Sequence, residues 1–349
     1  MTDTKTGNDI TRARGALMQM IQGFRASAII HATATLGIAD AIGEGPTSVE
    51  EIAAATGTKP ESLLRLLRGL AVLGITEEAA PSRFKLTTVG AGLRSDAPGS
   101  LQRVAATSPT EHSMRVWSNV THTLTTGETT FDHVMGISAF DHFARDPEMN
   151  SSFNRQMSEH TRIVAPSLLA AYDFSRYGTI VDVGGGNGTL LAAILHATAN
   201  PRGVNFDSVA GAETAADYLK TAGVADRCDI VTGDFFQSVP EGGDAYLMKS
   251  IIHDWNDELA TTLLTTCHRA MGHDARIVIL DIVLPDVIDT SELTRAIVFS
   301  DLNMLVNTGG RERTLAEFET LLQSARFRIT EVTPLDTPWG YHVIEAAPA

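Results

Sequence analysis

The sequence predicts an α/β fold in which a mainly parallel sheet carries helices on both faces and ends in an antiparallel hairpin, behind a mainly helical N-terminal region. Three observations support this prediction. From Thr179 onward, short apolar runs alternate with helix-like segments, which is typical of a parallel sheet. The first run, TIVDV, leads into the glycine-rich loop GGGNG. Residues 1–95, in contrast, read largely as helices.

The N-terminal segments predict a winged-helix-like arrangement. The stretch Ile10–Ile42 carries apolar residues at helical spacing and breaks near Gly37. Ser48 followed by Glu51 is a capping-box pattern, which opens a short helix. Lys59–Pro60 begins another helix with leucines at helical spacing. The strand-like segment FKLTTVG then supplies the wing.

We expect two domains. Residues 1–98 form an N-terminal helical, winged-helix-like domain, and residues 99–349 join a helical linker to a sheet-bearing core that starts at about residue 165. After TIVDV, the strand-like runs of this core are GVNFD, CDIVTGDFF, AYLMKS and RIVILDIVL. The final runs, FRITEVTPLD and YHVIEAAP, are joined by a short turn and predict the terminal hairpin.

Composition excludes several classes of protein. The 349 residues include 27 basic and 42 acidic side chains, and the net charge of −15 disfavours binding to nucleic acid or to an anionic membrane. No apolar run approaches the 18 residues of a membrane span, and the polar N-terminus does not resemble a secretory signal. Cys228 and Cys267 form neither a disulfide framework nor a zinc pattern. We therefore expect a soluble, cytoplasmic protein.

The loop VDVGGGNG predicts a cofactor site. Glycines at 184, 186 and 188 let a ligand approach the backbone beside the N–H groups of the following helix. The dinucleotide fingerprint has a third glycine where this chain has Thr189, so the spacing favours S-adenosylmethionine. A tight strand-to-helix turn is the alternative interpretation.

Two further segments fit an adenosyl cofactor. Asp207 ends the run GVNFD, 19 residues after Gly188, where a carboxylate accepts hydrogen bonds from ribose hydroxyls. A solvated carboxylate is the alternative. Asp234 and Phe235 follow the next run, and this pair suits the amino group and the face of an adenine, although the signal is weak by itself.

The segment LMKSIIHDWND predicts the chemistry. His253 lies just past the fourth strand, at the sheet edge where open α/β folds bind ligands, and histidine is the natural general base near neutral pH. Its position selects it among eleven histidines. Asp281, at the end of the fifth strand, and Glu312, in GGRERT, could each orient the ring. The alternative for Glu312 is a salt bridge with Arg311 or Arg313.

These motifs together resemble the caffeic acid O-methyltransferase-like family of S-adenosylmethionine enzymes, in its bacterial secondary-metabolite branch. They are VDVGGGNG, FD at 206–207, GDFF at 233–236, LMKSIIHDWND and GGRERT, and the similarity runs from about residue 15 to the C-terminus. The resemblance implies a Rossmann-like class I methyltransferase sheet behind a dimerisation domain. It implies His253 as the base, supported by Asp281 and Glu312. The implied cofactor-binding residues are Asp182, Gly184, Gly186, Asp207, Asp234, Phe235, Lys249 and Thr161.

The resemblance also implies acceptor-contacting residues, for which ordinary packing is the alternative. They are Met157, Asn154, Trp117, Phe140, Asn303, Met304 and Asn307. Two positions depart from the family pattern. Asp281 stands where glutamate is common, so its contact with His253 is expected to be weaker or mediated by water. Ser208–Val209 replaces the usual Leu-Pro after Asp207.

The expected reaction is methyl transfer to a phenolic or enolic hydroxyl of a small aromatic or polyketide-like metabolite, without a metal. N- or C-methylation remains an alternative, as does a non-methylating reaction such as hydroxylation, decarboxylation or cyclisation. A nicotinamide dehydrogenase and a ligand-sensing transcription factor are less favoured. The candidate recognition segment carries only Lys59, Arg65 and Arg68, too little positive charge for a phosphate footprint. We expect instead a homodimer formed through the apolar N-terminal helices.

Overall fold

The structure is a computed structural model that describes residues 3–349, with side chains from residue 9 onward. The chain divides into two compact units, and the boundary lies between Arg115 and Val116. The domain boundary at residues 98–99 stays a prediction.

The first unit consists mainly of helices. They are α1 (Asp3–Ile21), α2 (Gly23–Thr35), α3 (Ile38–Ile42), α4 (Val49–Thr56), α5 (Pro60–Val72), α6 (Thr88–Ala91) and α7 (Gln102–Thr107). The helix α8 (Glu111–Trp117) crosses the boundary. The strands β1 (Thr47–Ser48), β2 (Thr76–Ala80) and β3 (Arg83–Leu86) form an antiparallel sheet in the order β1-β3-β2.

Local signals in the sequence explain these boundaries. Gly37 adopts a φ of +64° between α2 and α3, where the predicted break lies. The capping box is present, because Ser48 N donates to Glu51 Oε2 at 2.9 Å and Glu51 N donates to Ser48 Oγ. Pro60 is the first residue of α5. The β2–β3 hairpin follows α5, which confirms the predicted winged-helix-like order.

The second unit contains the large sheet and the helices around it. Its remaining helices are α9 (Val120–Thr126), α10 (Thr130–Met135), α11 (Ala139–Arg145), α12 (Pro147–Ala171), α13 (Thr189–Ala197), α14 (Ala215–Thr221), α15 (Asp257–Ala270), α16 (Glu292–Asn307) and α17 (Leu315–Ser324). Its strands are β4 (Thr179–Val183), β5 (Arg202–Asp207), β6 (Cys228–Thr232), β7 (Ala245–Lys249), β8 (Arg276–Ile282), β9 (Phe327–Pro334) and β10 (Tyr341–Pro348).

The seven strands of this sheet lie in the order β6-β5-β4-β7-β8-β10-β9. The strands β4 to β8 are parallel, and β10 pairs antiparallel with both β8 and β9. The predicted terminal hairpin is thereby confirmed. The strand order reverses between β4 and β7, and the carboxyl ends of the strands at such a switch point form a crevice for ligands.

Both faces of the central strands β4, β7 and β8 are buried. Ile180 and Leu247 pack into one apolar cluster with α12 and α13, whereas Val181 and Tyr246 pack into a second cluster with α15 and α17. Successive residues of one strand therefore pack against the helices on opposite faces of the sheet. This explains why the strands read as continuous apolar runs rather than as alternating ones.

The surface of the first unit carries exposed apolar side chains near its N-terminal end. They are Ile10, Leu17, Met18, Met20, Ile21 and Phe24. Among the helices that the structure describes, none combines the length and apolarity needed to cross a bilayer.

Candidate active site

The glycine loop between β4 and α13 has a backbone that other residues adopt only with strain. Gly184, Gly186 and Gly188 have φ angles of +76°, +56° and +81°. A Cβ atom on Gly184 would collide with the side chain of Ile251, but a Cβ on Gly186 would meet no described atom within 4 Å. The loop is thus packed on one side and open beside Gly186.

Two carboxylates flank this loop. Asp182 is buried, and its Oδ2 has no hydrogen-bond partner among the described residues. Burial and the neighbouring Asp207 raise the pKa of Asp182 to about 7, against the opposing effect of Lys249. Asp207 accepts hydrogen bonds from Gly186 N at 2.8 Å and Ser208 N at 2.6 Å. An unpaired buried oxygen beside the glycine loop fits the polar groups of a bound cofactor.

Asp234 and Phe235 lie in the turn after β6. Asp234 is exposed and lies two residues beyond the strand. Its carboxylate accepts hydrogen bonds from Phe236 N and Gln237 Nε2, each at 2.9 Å. The ring of Phe235 meets Trp255 edge-on, with centroids 5.9 Å apart. The turn therefore approaches the segment that carries His253.

Lys249, at the end of β7, is linked through a hydrogen-bond chain to two residues that the sequence reasoning missed. Its Nζ donates to Ser250 Oγ at 2.9 Å, and Ser250 Oγ lies 2.7 Å from the hydroxyl of Tyr341. Burial lowers the pKa of Lys249 to about 8, although neighbouring carboxylates, first among them Asp281, oppose this shift. Tyr341 begins β10, and only strand pairing brings it to this edge.

His253 and Glu312 form a buried pair. His253 Nδ1 lies 2.9 Å from Glu312 Oε1, and the two residues are 8% and 1% exposed. The second ring nitrogen, Nε2, lies 3.9 Å from Asp254 Oδ1, too far for a hydrogen bond. Glu312 Oε1 also accepts from Ser300 Oγ at 2.6 Å, and Glu312 N donates to Asp301 Oδ1 at 2.9 Å. Hydrogen bonds other than the one to the His253 ring therefore also hold Glu312 in place.

The salt-bridge alternative for Glu312 does not describe this structure. Arg311 pairs with Glu317, and Arg313 pairs with Asp257. Neither arginine has an ion pair with Glu312 among the ion pairs of the described residues.

Asp281 lies near His253 without a direct contact. It is fully buried, and neither carboxylate oxygen has a hydrogen-bond partner among the described residues. Burial raises the pKa of Asp281 to about 7. Burial lowers the pKa of His253, but the charges of Glu312, Asp281 and Asp254 outweigh this effect and raise it to about 10. Asp281 thus acts on the ring through space.

The long helix α12 carries three of the predicted residues. Asn154 and Met157 are partly buried, and Thr161 donates its hydroxyl to Met157 O at 2.8 Å. This hydroxyl is engaged within its own helix. Ser158 ties α12 to the glycine loop, since it accepts a hydrogen bond from Asn187 Nδ2 at 2.9 Å. The sequence reasoning missed this tie.

Of the two aromatic residues predicted to contact the acceptor, Phe140 meets the segment around His253 and Trp117 does not. The ring of Phe140 stacks on Trp255 with centroids 5.3 Å apart and an interplanar angle of 27°. Trp117 packs instead against a small apolar cluster that includes Phe131 and Val306.

The helix α16 carries the remaining predicted residues. Asn307 Nδ2 donates to Asn303 Oδ1 at 2.9 Å, and Met304 is buried. Ser300, which the sequence reasoning missed, precedes these residues by three, four and seven positions and so shares their helical face. That spacing was a signal that could have identified it.

The described residues contain no group of three or more histidine, cysteine, aspartate or glutamate side chains that could hold a metal ion. They do place a paired imidazole and an open glycine loop at the same edge of the sheet. An imidazole is a group that can accept a proton, and a glycine loop of this kind lets a ligand approach the backbone.

Comparison with known families identifies both units. Residues 117–328 match the model of the O-methyltransferase domain, and residues 18–96 match that of the O-methyltransferase dimerisation domain. The first match alone covers more than half of the chain.

Individual relatives agree with this assignment. O-demethylpuromycin-O-methyltransferase from Streptomyces alboniger is 41% identical over 345 residues, covering 96% of this chain and 89% of the relative. The structure of a mitomycin 7-O-methyltransferase matches with a TM-score of 0.91 and 33% identity, covering 98% of this chain and 100% of that one. An O-methyltransferase from neocarzinostatin biosynthesis, crystallised with S-adenosylmethionine and 2-hydroxy-5-methyl naphthoic acid, matches with a TM-score of 0.82 and 29% identity, covering 93% and 96%.

These matches confirm the predicted family, fold class and cofactor. The chain belongs to the O-methyltransferase family and is an S-adenosylmethionine-dependent enzyme that acts on small molecules.

Proposed function

We propose that this enzyme methylates a phenolic or enolic hydroxyl of a small aromatic or polyketide-like secondary metabolite, with His253 as the general base. One observation carries the proposal. His253 Nδ1 is held by Glu312 at 2.9 Å, which leaves Nε2 as the nitrogen that can accept a proton.

Bound S-adenosylmethionine supplies an activated methyl group and a neutral thioether leaving group. The residues of the chain handle the proton of the acceptor. A phenol with a pKa near 10 is mostly neutral at pH 7, and His253 Nε2 takes its proton as the oxygen attacks. Glu312 accepts from Nδ1–H and stabilises the imidazolium that forms. Because the pKa of His253 is raised to about 10, close to that of a phenol, the transfer of a proton from the phenol to His253 has a free-energy change near zero.

The proposed cofactor site is centred on the glycine loop. The open space beside Gly186 and the unpaired oxygen of Asp182 support a ligand there. Asp207 would accept the ribose hydroxyls. Gly184, Asp234, Phe235, Lys249 and Thr161 complete the proposed set. Acceptor contacts are proposed for Met157, Asn154, Trp117, Phe140, Asn303, Met304 and Asn307.

We further propose that the enzyme works as a cytoplasmic homodimer that binds neither nucleic acid nor membrane. The matched dimerisation domain and the exposed apolar residues of α1 and α2 support the dimer. The net charge of −15 disfavours polyanionic partners. The free thiols of Cys228 and Cys267 are compatible with a reducing compartment.

The test is incubation of the purified enzyme with S-adenosylmethionine and a panel of hydroxylated aromatic acceptors. Each acceptor has a matched control in which the hydroxyl is already a methyl ether, and a second in which it is an amine. We expect S-adenosylhomocysteine and an O-methylated product in equal amounts, identified by mass spectrometry and NMR. Methylation of the amines alone would contradict the proposal, as would an altered acceptor that has gained no methyl group.

A further inference from the structure

Arg313 follows Glu312 directly and is 1% exposed, among the largest fully buried side chains of the described chain. Burial of a guanidinium is costly unless its charge is paired and its N–H groups are bonded. The groups that satisfy Arg313 therefore show what this side chain holds in place.

The partners of Arg313 lie on both sides of His253. Its Nη1 donates to Ile252 O at 3.1 Å, and its Nη2 donates to Trp255 O at 2.8 Å. Asp257 balances the charge, because its Oδ1 accepts from Nε at 3.0 Å and from Nη2 at 2.8 Å. One planar guanidinium thus connects the turn that carries His253 to the start of α15.

The residues before Arg313 dock on the same turn through their backbone. Arg311 N donates to His253 O at 2.8 Å. A Cβ atom on Gly310 would collide with His253 O and would lie 2.6 Å from Trp255 N, so this contact requires a glycine. The stretch 310–313 therefore follows the turn closely along its length.

The hydrogen bonds within this turn are few and long. Residues Ile252–Asp254 form a single 3-10 turn, whose hydrogen bonds are long: Asp254 N to Ile251 O at 3.2 Å and Trp255 N to Ile252 O at 3.3 Å. The stretch 310–313, which contacts this turn, is itself bonded to the chain just after β8, because Leu284 N donates to Arg313 O at 2.9 Å. Arg313 thus joins a turn with weak internal hydrogen bonds to a segment that is hydrogen-bonded to the chain just after β8.

We propose that Arg313 is a positioning residue, which fixes the His253 turn so that the imidazole stays within hydrogen-bond distance of Glu312. This inference rests on the proposed role of His253. A lysine cannot take over the task, since one ammonium cannot reach two carbonyl groups and Asp257 in a fixed plane.

The test compares Arg313→Lys with a matched arginine elsewhere in the second unit. Arg227 donates to the carbonyl groups of Thr198, Ala199 and Leu195, away from His253. Arg227→Lys therefore controls for the general cost of losing bonds between an arginine and the backbone.

We expect Arg313→Lys to lower kcat 10- to 100-fold, since a small misplacement of a catalytic group has effects of this size. The Kd for S-adenosylhomocysteine, measured by calorimetry, should change less than twofold. Arg227→Lys should lower Tm without the loss in kcat.

A second readout does not depend on activity. In enzyme labelled with 15N-histidine, the titration of the His253 ring, assigned by comparison with His253→Gln, reports on its carboxylate neighbours Glu312, Asp281 and Asp254. In Arg313→Lys the ring should move away from Glu312, and the midpoint of its titration should therefore fall to lower pH. In Arg227→Lys the midpoint should stay unchanged. If His253→Gln is fully active, the proposed function fails, whereas this titration still tests the positioning.

The inference is overturned if Arg313→Lys folds and keeps the kcat and the His253 titration of the wild type, or if Arg227→Lys changes both equally. If Arg313→Lys does not fold, Asp257→Ala replaces it, because this carboxylate is largely exposed and its loss releases the guanidinium from one side only. A smaller change in the same direction supports the inference, and no change in either readout overturns it.

Discussion

His253 Nδ1 lies 2.9 Å from Glu312 Oε1, in a pair whose members are 59 residues apart in the sequence. Asp281, which is equally buried, makes no hydrogen bond to the ring. One carboxylate therefore orients the imidazole and the other acts on it only through charge. This division of roles determines how the site should respond to substitution and to pH.

The first prediction concerns the base. His253→Gln should lower kcat about 10²- to 10⁴-fold, because a positioned general base contributes an effect of this size. The affinity for S-adenosylhomocysteine should not change. His273→Gln, at a solvent-exposed histidine, is the matched control in steady-state assays. Turnover by His253→Gln at the rate of the control would refute the assignment.

The second prediction is a dependence on alkaline pH. The carboxylates around His253 raise its pKa to about 10, and only the neutral ring can accept a proton. As a result, kcat/KM should rise about tenfold per pH unit below that value. Rate profiles against pH with one acceptor would check this. A flat profile between pH 7 and about 9 would contradict it.

The third prediction separates the two carboxylates. Glu312→Gln removes a hydrogen-bonded charge, so kcat should fall strongly and the rise of kcat/KM should move to lower pH. Asp281→Asn removes a charge without a direct contact, so the rise should move in the same direction with a smaller loss of kcat. If ionisation of the acceptor alone caused the rise of kcat/KM with pH, neither substitution would shift that rise to another pH. Equal losses of kcat in the two variants would argue against distinct roles.

The fourth prediction concerns the cofactor. Asp207→Ala should weaken binding of S-adenosylhomocysteine about 10- to 100-fold, as expected for the loss of hydrogen bonds to a charged acceptor. Calorimetric titration measures this effect directly. Asp229→Ala, an exposed carboxylate on the neighbouring strand β6, serves as the control. Unchanged affinity in Asp207→Ala would remove this residue from the site.

The fifth prediction concerns assembly. Light scattering should give a mass near twice the 37.3 kDa of one chain. The double substitution Leu17→Asp and Ile21→Asp places charges on the exposed apolar surface of α1 and should yield monomers. Val209→Asp alters an equally exposed apolar residue of the second unit and should remain dimeric. A wild-type enzyme of single-chain mass would contradict the proposed dimer.

The sequence alone determined the features that depend on local patterns. Continuous apolar runs predicted the buried central strands because both faces of these strands are covered. The capping box at Ser48 and Glu51 and the break at Gly37 were readable because caps and turns form between neighbouring residues. The glycine loop and the HDWND and GGRERT motifs were sufficient for the family, the fold class and the cofactor.

The tertiary structure decided which of these residues meet. Asp281 and Glu312 were both candidates in the sequence, and the weaker contact expected for the shorter Asp281 did not fix either distance, since nothing local to these residues measures how far they lie from His253. Strand pairing brought Tyr341 to Lys249, and α16 brought Ser300 to Glu312. In the sequence Arg313 was a possible ion-pair partner of Glu312, and only folding buries it against the carbonyl groups around His253. Contacts between residues far apart in the chain depend on how the whole sheet packs, and no local pattern encodes them.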